Sequence, residues 1–579
     1  MKQNLLIIFR IALVAFPIGM QAQTRPQPKD TTVNRTVVVE QQYTPDIMDA
    51  AKVNVLPKVE EPTVSKKAVE YATFATPSAA IPTATMKAYV GKETKASATP
   101  GYVRIGYGNY NNLDLFANYL FSLTDRDRLN VNFSMDGMNG KLDMPFGDAR
   151  TWDARYYRTR ANVDYVHQFN KLDLNVAGNF GLSNFNYEPF AVEFKKQKFT
   201  SGDVHFGVRS TDETLPLQFR AETNLLFYNR QHNQFLGGLT ESIVRTKGTV
   251  TGAINDQQLV GIGLHMDNLF YSKIKKETTG DNLYDNRTTL ALKPYYELNN
   301  DDWRLHIGAN VDFSFGSGKT LQVSPDITAQ YVFSDSYVLY AKATGGRLTN
   351  DFRRLEAYNP YLDPISKVSD TYEQLNAALG FKASPAPGVW FDIFGGYQNL
   401  KNDLYQTRDY LLSEGAENWN WTDIMNENYI TLRQTNTNNL YVGARASYEY
   451  KDILSLSAEG TYRHWKTDEG MTENLNRDYN VALFMKPQFK LGFNAEVHPL
   501  QALWFNIGYE YILRAERYTG QYNQNIPAVS NLNLGATYTI YKGISVYARV
   551  DNLLNKKYQY YLYYPVEGLN FLGGLSFKF

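Results

Sequence analysis

Cysteine is absent from this 579-residue chain. That removes disulfide frameworks, thiolate metal sites, a cysteine nucleophile and the lipidated cysteine that anchors a lipoprotein. Long apolar runs are missing as well, apart from one near the start, and mean hydropathy is negative. A helix needs about 20 consecutive apolar residues to cross the hydrocarbon of a bilayer, so a helical membrane protein is excluded. Neither sign of charge is in excess, since Lys+Arg and Asp+Glu each total 59. No bulk charge therefore draws the chain to nucleic acid.

Histidine is sparse. His167, His205, His232, His265, His306, His464 and His498 are scattered without the short spacings of metal sites, and no G-x-S-x-G elbow occurs. The segment 316–320 resembles the end of a phosphate-binding loop, but the glycine needed earlier is Phe313, so it reads as a tight turn. No enzyme, metal or cofactor is expected from these residues.

What the chain has in quantity is aromatic side chains: Tyr 43, Phe 32 and Trp 7, together 14% of residues. Such a stock suits the aromatic girdles at membrane interfaces. Apolar and polar residues alternate over 113–123, 129–135, 172–182, 303–315, 502–512 and 531–540. In the fourth of these, Trp303, Leu305, Ile307, Ala309, Val311, Phe313 and Phe315 share one face of a strand, with Arg304, His306, Asn310, Asp312 and Ser314 on the other. The C-terminal stretch repeats the pattern. Ile544, Val546, Ala548 and Val550 alternate with Ser545, Tyr547, Arg549 and Asp551, and Phe571, Leu575, Phe577 and Phe579 share a face.

Short polar turns separate these segments at Asp125-Arg126, Asn170-Lys171, Asp212-Glu213, Asn255-Asp256, Asn300-Asp301, Asp335-Ser336, 385–388, Lys451-Asp452, 499–501 and Lys542-Gly543. Ten short turns with both termini at the same end imply about 22 strands. The expected fold is all-β: a large transmembrane antiparallel β-barrel of about 22 strands behind an extended N-terminal segment. The longest outer loops are expected at 349–370 and 403–433, the second carrying Trp419, Trp421 and Tyr429.

The N-terminus reads differently. Lys2 and Arg10, an apolar core over 11–19 and a small-residue exit near Ala22 resemble a secretory signal, giving 1–22 as a signal peptide. Proline then recurs at Pro26, Pro28, Pro45, Pro57, Pro62, Pro77, Pro82 and Pro100, which blocks helix interiors and central strands. Residues 23–100 are expected to be an extended, Pro-rich periplasmic or lumenal segment, and 101–579 the outer-membrane barrel. Within the first of these, Thr36, Val37, Val38 and Val39 form a short β-prone run suited to capture at a partner's sheet edge.

The closing segment of the chain resembles the TonB-dependent receptors of Gram-negative outer membranes. The run from Val550 through Asp551, Asn552, Leu553, Leu554, Asn555, Lys556 and Lys557 to Tyr558 is similar to the family's penultimate-strand motif. Gly574, Phe577 and Phe579 match the C-terminal signal that the barrel-insertion machinery reads. By the same resemblance, Thr36 to Val39 stands where such receptors carry the box that engages TonB, while residues 40–100 show no counterpart of the family's globular plug. The resemblance implies a barrel in the outer membrane, in contact with its lipid and with TonB or another periplasmic or outer-membrane protein. Its implied role is solute binding or transport, with lumen residues Arg304, His306, Asp312, Arg549 and Asp551 setting selectivity. The alternative is a non-transporting scaffold subunit of an outer-membrane complex that docks through its N-terminal arm.

Overall fold

A computed structural model describes residues 100–144, 151–188, 196–212, 214–232, 238–272, 282–316, 318–333, 336–362, 368–410, 428–467, 481–515 and 526–579. The expectations on the signal peptide and on Thr36, Val37, Val38 and Val39 lie outside these residues, as do Trp419 and Trp421.

Alternation produces one closed antiparallel sheet of 22 strands. Each strand pairs with its sequence neighbours, and the first, Gly101–Gly108, pairs with both Leu113–Ser122 and the last, Asn570–Lys578. Closure satisfies every sheet edge, which a span through lipid requires. The Gly101 amide donates to the Phe579 carbonyl at 2.8 Å, so the first strand and the C-terminus meet at the short-turn end. In barrels of this kind that end faces the periplasm.

The two faces separate as the sequence pattern requires. Trp303, Ile307 and Phe315 are exposed on the outer surface, while Asn310, Asp312 and Ser314 of the same strand are buried on the inner one. Rings collect on the outer surface near the short turns. Trp303, Tyr331, Phe333, Tyr337, Phe381 and Phe391 follow one another at centroid spacings of 4.8 to 6.2 Å, as an interfacial girdle does.

On the inner wall, large rings lie flat against glycines of the next strand. Tyr340 pairs with Gly380, Tyr441 with Gly396 and Tyr547 with Gly574. A Cβ on any of these three glycines would collide with the ring beside it. The hydroxyls then reach along the wall: Tyr340 donates to Asp392 at 3.0 Å, Tyr547 to Asp114 at 3.0 Å and Tyr441 to Asn376 at 2.7 Å. Gly574, expected as part of an insertion signal, is seen here in a packing role. Phe577 and Phe579 stand in or beside the last strand, with Phe579 exposed on the outer face.

Wall height is uneven. Strands at the seam, Gly101–Gly108, Ile544–Asp551 and Asn570–Lys578, have 8, 8 and 9 residues, whereas Val389–Tyr410 and Asn428–Tyr450 have 22 and 23. Eight residues at about 3.3 Å each, tilted by about 40°, rise roughly 20 Å, short of an apolar band about 25 Å tall. Leu553, Leu554 and Leu569, exposed just beyond the seam strands, extend the apolar surface, with Lys556 and Lys557 next to them. The tall strands correct one expectation. Residues 403–410 and 428–433, expected in an outer loop, belong to strands, because pairing continues from Asp403–Thr435 to Tyr410–Asn428.

Candidate functional site

Along several strands the inward row changes character toward the long-loop end. On Thr151–Gln168 it runs Trp152, Ala154, Tyr156 and then Arg158, Arg160, Asn162, Asp164. On Leu217–Arg230 it runs from Gln218, Arg220 and Glu222 up to Leu226 and Tyr228. Polar residues facing a wet lumen need no partner element, whereas an inward pad of Trp152, Tyr156, Phe185, Phe199, Tyr228 and Leu239 exposes apolar area unless something covers it.

Two segments from the long-loop end fold in and cover it. The first is residues 349–362. Asp351 caps a short helix, Phe352–Tyr358, its carboxylate accepting from the Arg354 amide at 2.8 Å. The wall completes the cap, since Glu241 accepts from the Phe352 amide at 3.0 Å. Asn359 and Pro360 then end the helix. The Asn359 side chain donates to Gln406 at 2.6 Å and accepts from the Tyr361 amide at 2.9 Å. Phe352, Leu355, Tyr361 and Leu362 thereby enter the apolar pad.

The second segment is residues 552–569, a tongue with a small hairpin, Gln559–Tyr561 against Tyr564–Pro565. Asn552, at φ +49°, ties its two ends: its amide side chain donates to the Lys556 and Glu567 carbonyls, each at 2.9 Å. A left-handed backbone suits asparagine, which bonds locally. Glu567 is buried, accepting from Asn112 at 3.2 Å and Asn570 at 2.6 Å, and burial pushes its carboxyl up to about 7. Tyr560 donates to Glu510 at 2.7 Å, linking the tongue to the wall.

Loop and tongue meet inside the barrel. The Tyr361 and Tyr564 rings stack at 3.5 Å between centroids and 6° between planes, with Trp152 edge-on to Tyr564 at 5.5 Å and Phe185 edge-on to Tyr361 at 5.2 Å. Ion pairs fasten the loop. Arg245 bridges Asp267 at 2.7 Å and Asp351 at 3.1 Å, while Asp370 receives Arg287 at 2.9 Å and Arg347 at 3.5 Å. Arg353 donates to the Gly202 carbonyl at 2.6 Å, and Arg230 donates to the Leu362 carbonyl. Glu356 faces Arg160 and Tyr228, and burial pushes its carboxyl up. Loop and tongue thus pack against each other and against the wall inside the long-loop part of the lumen.

Toward the short turns the inner wall stays polar and half-exposed. Lys247 pairs with Glu222 at 3.4 Å, and Arg445 spans Asp392 and Glu459, each at 3.4 Å. Of the lumen residues singled out in the sequence, Asp312 supports the loop's root. It lies 4.0 Å from Arg347 and accepts from Tyr372 at 3.2 Å. His306 stands between Glu297 and Asp326, at 2.9 and 3.5 Å, and stacks on Tyr295. Arg549 pairs with Asp551 at 3.0 Å at the seam, and Arg304 stands on the same strand as His306, nearer its short-turn end. These residues are spread over the wall rather than gathered in one pocket. Among the described residues, no group of three or more His, Asp or Glu side chains could hold a metal ion.

What sequence reading missed is the inward packing of 349–362 and 552–569. The one signal for it was the run of inward-facing aromatics at strand ends, such as Trp152, Tyr156 and Phe185.

A closed antiparallel 22-strand sheet with short turns at the end that holds both barrel termini is the barrel fold of the TonB-dependent outer-membrane receptors. This chain has that fold. The siderophore receptor PirA from Pseudomonas aeruginosa matches at a TM-score of 0.57 and 12% identity, over 83% of this chain and 80% of that one. The copper transporter OprC gives 0.59 at 12% identity, over 83% and 80%. The FrpB iron transporter from Neisseria meningitidis gives 0.61 at 11%, over 83% and 81%. At such identities the likeness is one of fold. No family model matches the sequence, and no curated protein does.

Proposed function

We propose that this protein is a gated outer-membrane receptor for solute uptake, with loop 349–362 and tongue 552–569 closing the lumen from within. The observation that carries this reading is the Tyr361–Tyr564 stack inside the barrel, with the loop's Asp351 and Asp370 ion-paired to Arg245 and Arg287 of the wall. Buried ion pairs are a weak source of stability because desolvation offsets their attraction, so a closure fastened by them is held in register more than it is welded. A solute in the polar lower lumen meets charged and hydrogen-bonding side chains and no covalent chemistry. On this reading the chain is exported to a Gram-negative outer membrane after cleavage near Ala22, inserted through the signal at Gly574, Phe577 and Phe579, and coupled to TonB through Thr36 to Val39.

The test is conductance in planar bilayers. Wild-type barrels should be nearly silent, and replacing residues 352–362 by a glycine–serine linker should open steady channels. Equal silence in the folded variant would overturn the gate. Deleting residues 33–42 should abolish uptake in cells while the barrel still assembles, and normal uptake would remove the TonB-coupled version.

The dry aromatic packing around Tyr361 also supports a second reading, a permanently closed scaffold subunit. Extraction in mild detergent should then bring down partners in fixed stoichiometry, whereas recovery of a lone monomer would count against it.

A further inference from the structure

We infer that the outer wall carries a binding groove for one phosphate-bearing, acylated lipid of the outer leaflet. On the lipid-facing surface, six neighbouring strands form an apolar depression of about 640 Å³. Its floor exists because five outward positions are small: Ala329, Ala341, Ala343, Ala377 and Gly395. Two ladder rows cross it. One runs Ala329–Ala341–Leu379–Gly395–Val442–Tyr462, each residue paired with the next across a strand boundary. In the other, Ala343 and Ala377 lead through Tyr397 and Leu440 to His464. Leu379 stands 68% exposed among these small neighbours, so the hollow is open to the hydrocarbon.

The groove is oriented as a lipid is. Ile327, at its small-residue end, lies midway along Leu321–Phe333, a strand that reaches the short turns at Phe333. His464, at the other end, lies near the long-loop end of Leu454–Thr467. The hollow therefore rises from the middle of the apolar band to its outer edge. There the chemistry changes. Exposed Lys466, two residues beyond His464 on the same face, pairs in the ladder with Asn438, and Asn399 pairs with Asn438 on the other side. An ammonium, an imidazole and amide groups above an apolar hollow complement an anionic headgroup above acyl chains. A membrane-spanning segment of another protein would gain nothing from Lys466 at that edge, and an uncharged lipid would leave it without a counter-ion.

The experiment uses full-length barrels, delipidated and placed in phosphatidylcholine nanodiscs with diphosphorylated lipid A as the probe, with bound lipid counted by native mass spectrometry. Wild type should retain about one lipid A per barrel and little of an uncharged acylated glycolipid offered at the same level. The double variant His464→Glu, Lys466→Glu should retain at least five-fold less, and Ala343→Leu with Ala377→Leu, which fills the floor, should do the same. Heat-modifiable gel mobility establishes that each variant is folded. Equal retention by wild type and both folded variants, or equal retention of the uncharged glycolipid, would overturn the proposal.

Discussion

The two ends of one lumen obey the same alternation and come out opposite. Toward the short turns, inward side chains such as Lys247, Glu222, Lys342 and Glu459 are polar, paired loosely along the wall and partly exposed. Toward the long loops, inward positions hold Trp152, Tyr156, Phe185 and Tyr228, the last on the same strand as Glu222, and all are buried among residues of the chain's own loop and tongue. The difference shows that "inward" in a barrel means wet only where nothing folds in. A lumen can carry a dry core at one end, with the packing rules of a soluble domain, and a solvated wall at the other.

If that contrast is right, substitutions of similar kind should have unequal effects at the two ends. The largest is expected for Tyr361→Ala, which removes a buried ring from the stack and should cost about 3–5 kcal/mol of loop attachment. It should be read as rapid tryptic cleavage at Arg353 and Arg354; cleavage at the wild-type rate would show that the stack does not hold the loop. Next comes Arg245→Ala. It strands Asp267 and Asp351 without their shared partner, an effect on the order of 3 kcal/mol. Hydrogen exchange should rise over 349–362 and stay unchanged at the short turns.

At the seam, Gly574→Ala forces a Cβ into the Ile105 carbonyl and the Tyr547 ring. Overpacking of this kind costs about 1–3 kcal/mol and should lower the heat-modification temperature. A normal temperature would leave Gly574 with no packing role. The tongue should respond to pH in a defined direction. Because the folded state holds Glu567 protonated up to about 7, the tongue is most firmly seated below the ordinary glutamate range and loosens as pH rises through 7. A loss of up to about 3 kcal/mol is expected, since each tenfold difference in proton affinity between the seated and released tongue is worth about 1.4 kcal/mol. Glu567→Gln should flatten that dependence when protease accessibility of Lys556 and Lys557 is followed from pH 5 to 8. Smallest of all, Lys247→Ala in the wet half breaks a half-exposed pair with Glu222 and should change stability by less than about 1 kcal/mol. A loss as large as that of Arg245→Ala would erase the contrast between the two halves.

Much of the barrel was legible because a strand's period of two is short. Trp303 to Phe315 can be sorted by face from thirteen letters, and each of the ten polar turns falls between paired strands. The site was much less so. Asp551 and Asn552 could be recognised as part of a familiar closing motif, but not as the residues that pair Arg549 and tie the tongue's ends together. Loop 349–370 was identified by length alone. The inward fold of 349–362 and the anchoring of Asp370 depend on Arg245, Arg287 and Glu241, which lie on other strands, and no local pattern links them to Asp351, Asp370 or Phe352.

By itself, the sequence determined the all-β class, the strand count, the lipid-facing and lumen-facing rows and the end at which the barrel's termini lie. Each of these follows from backbone geometry and nearest-neighbour alternation. Only the tertiary structure decided that loop and tongue meet inside the lumen, because that depends on which distant surfaces come together. The ring of Tyr361 found the ring of Tyr564 across the lumen, and burying both against Trp152 and Phe185 is favourable only once 22 strands have closed around them.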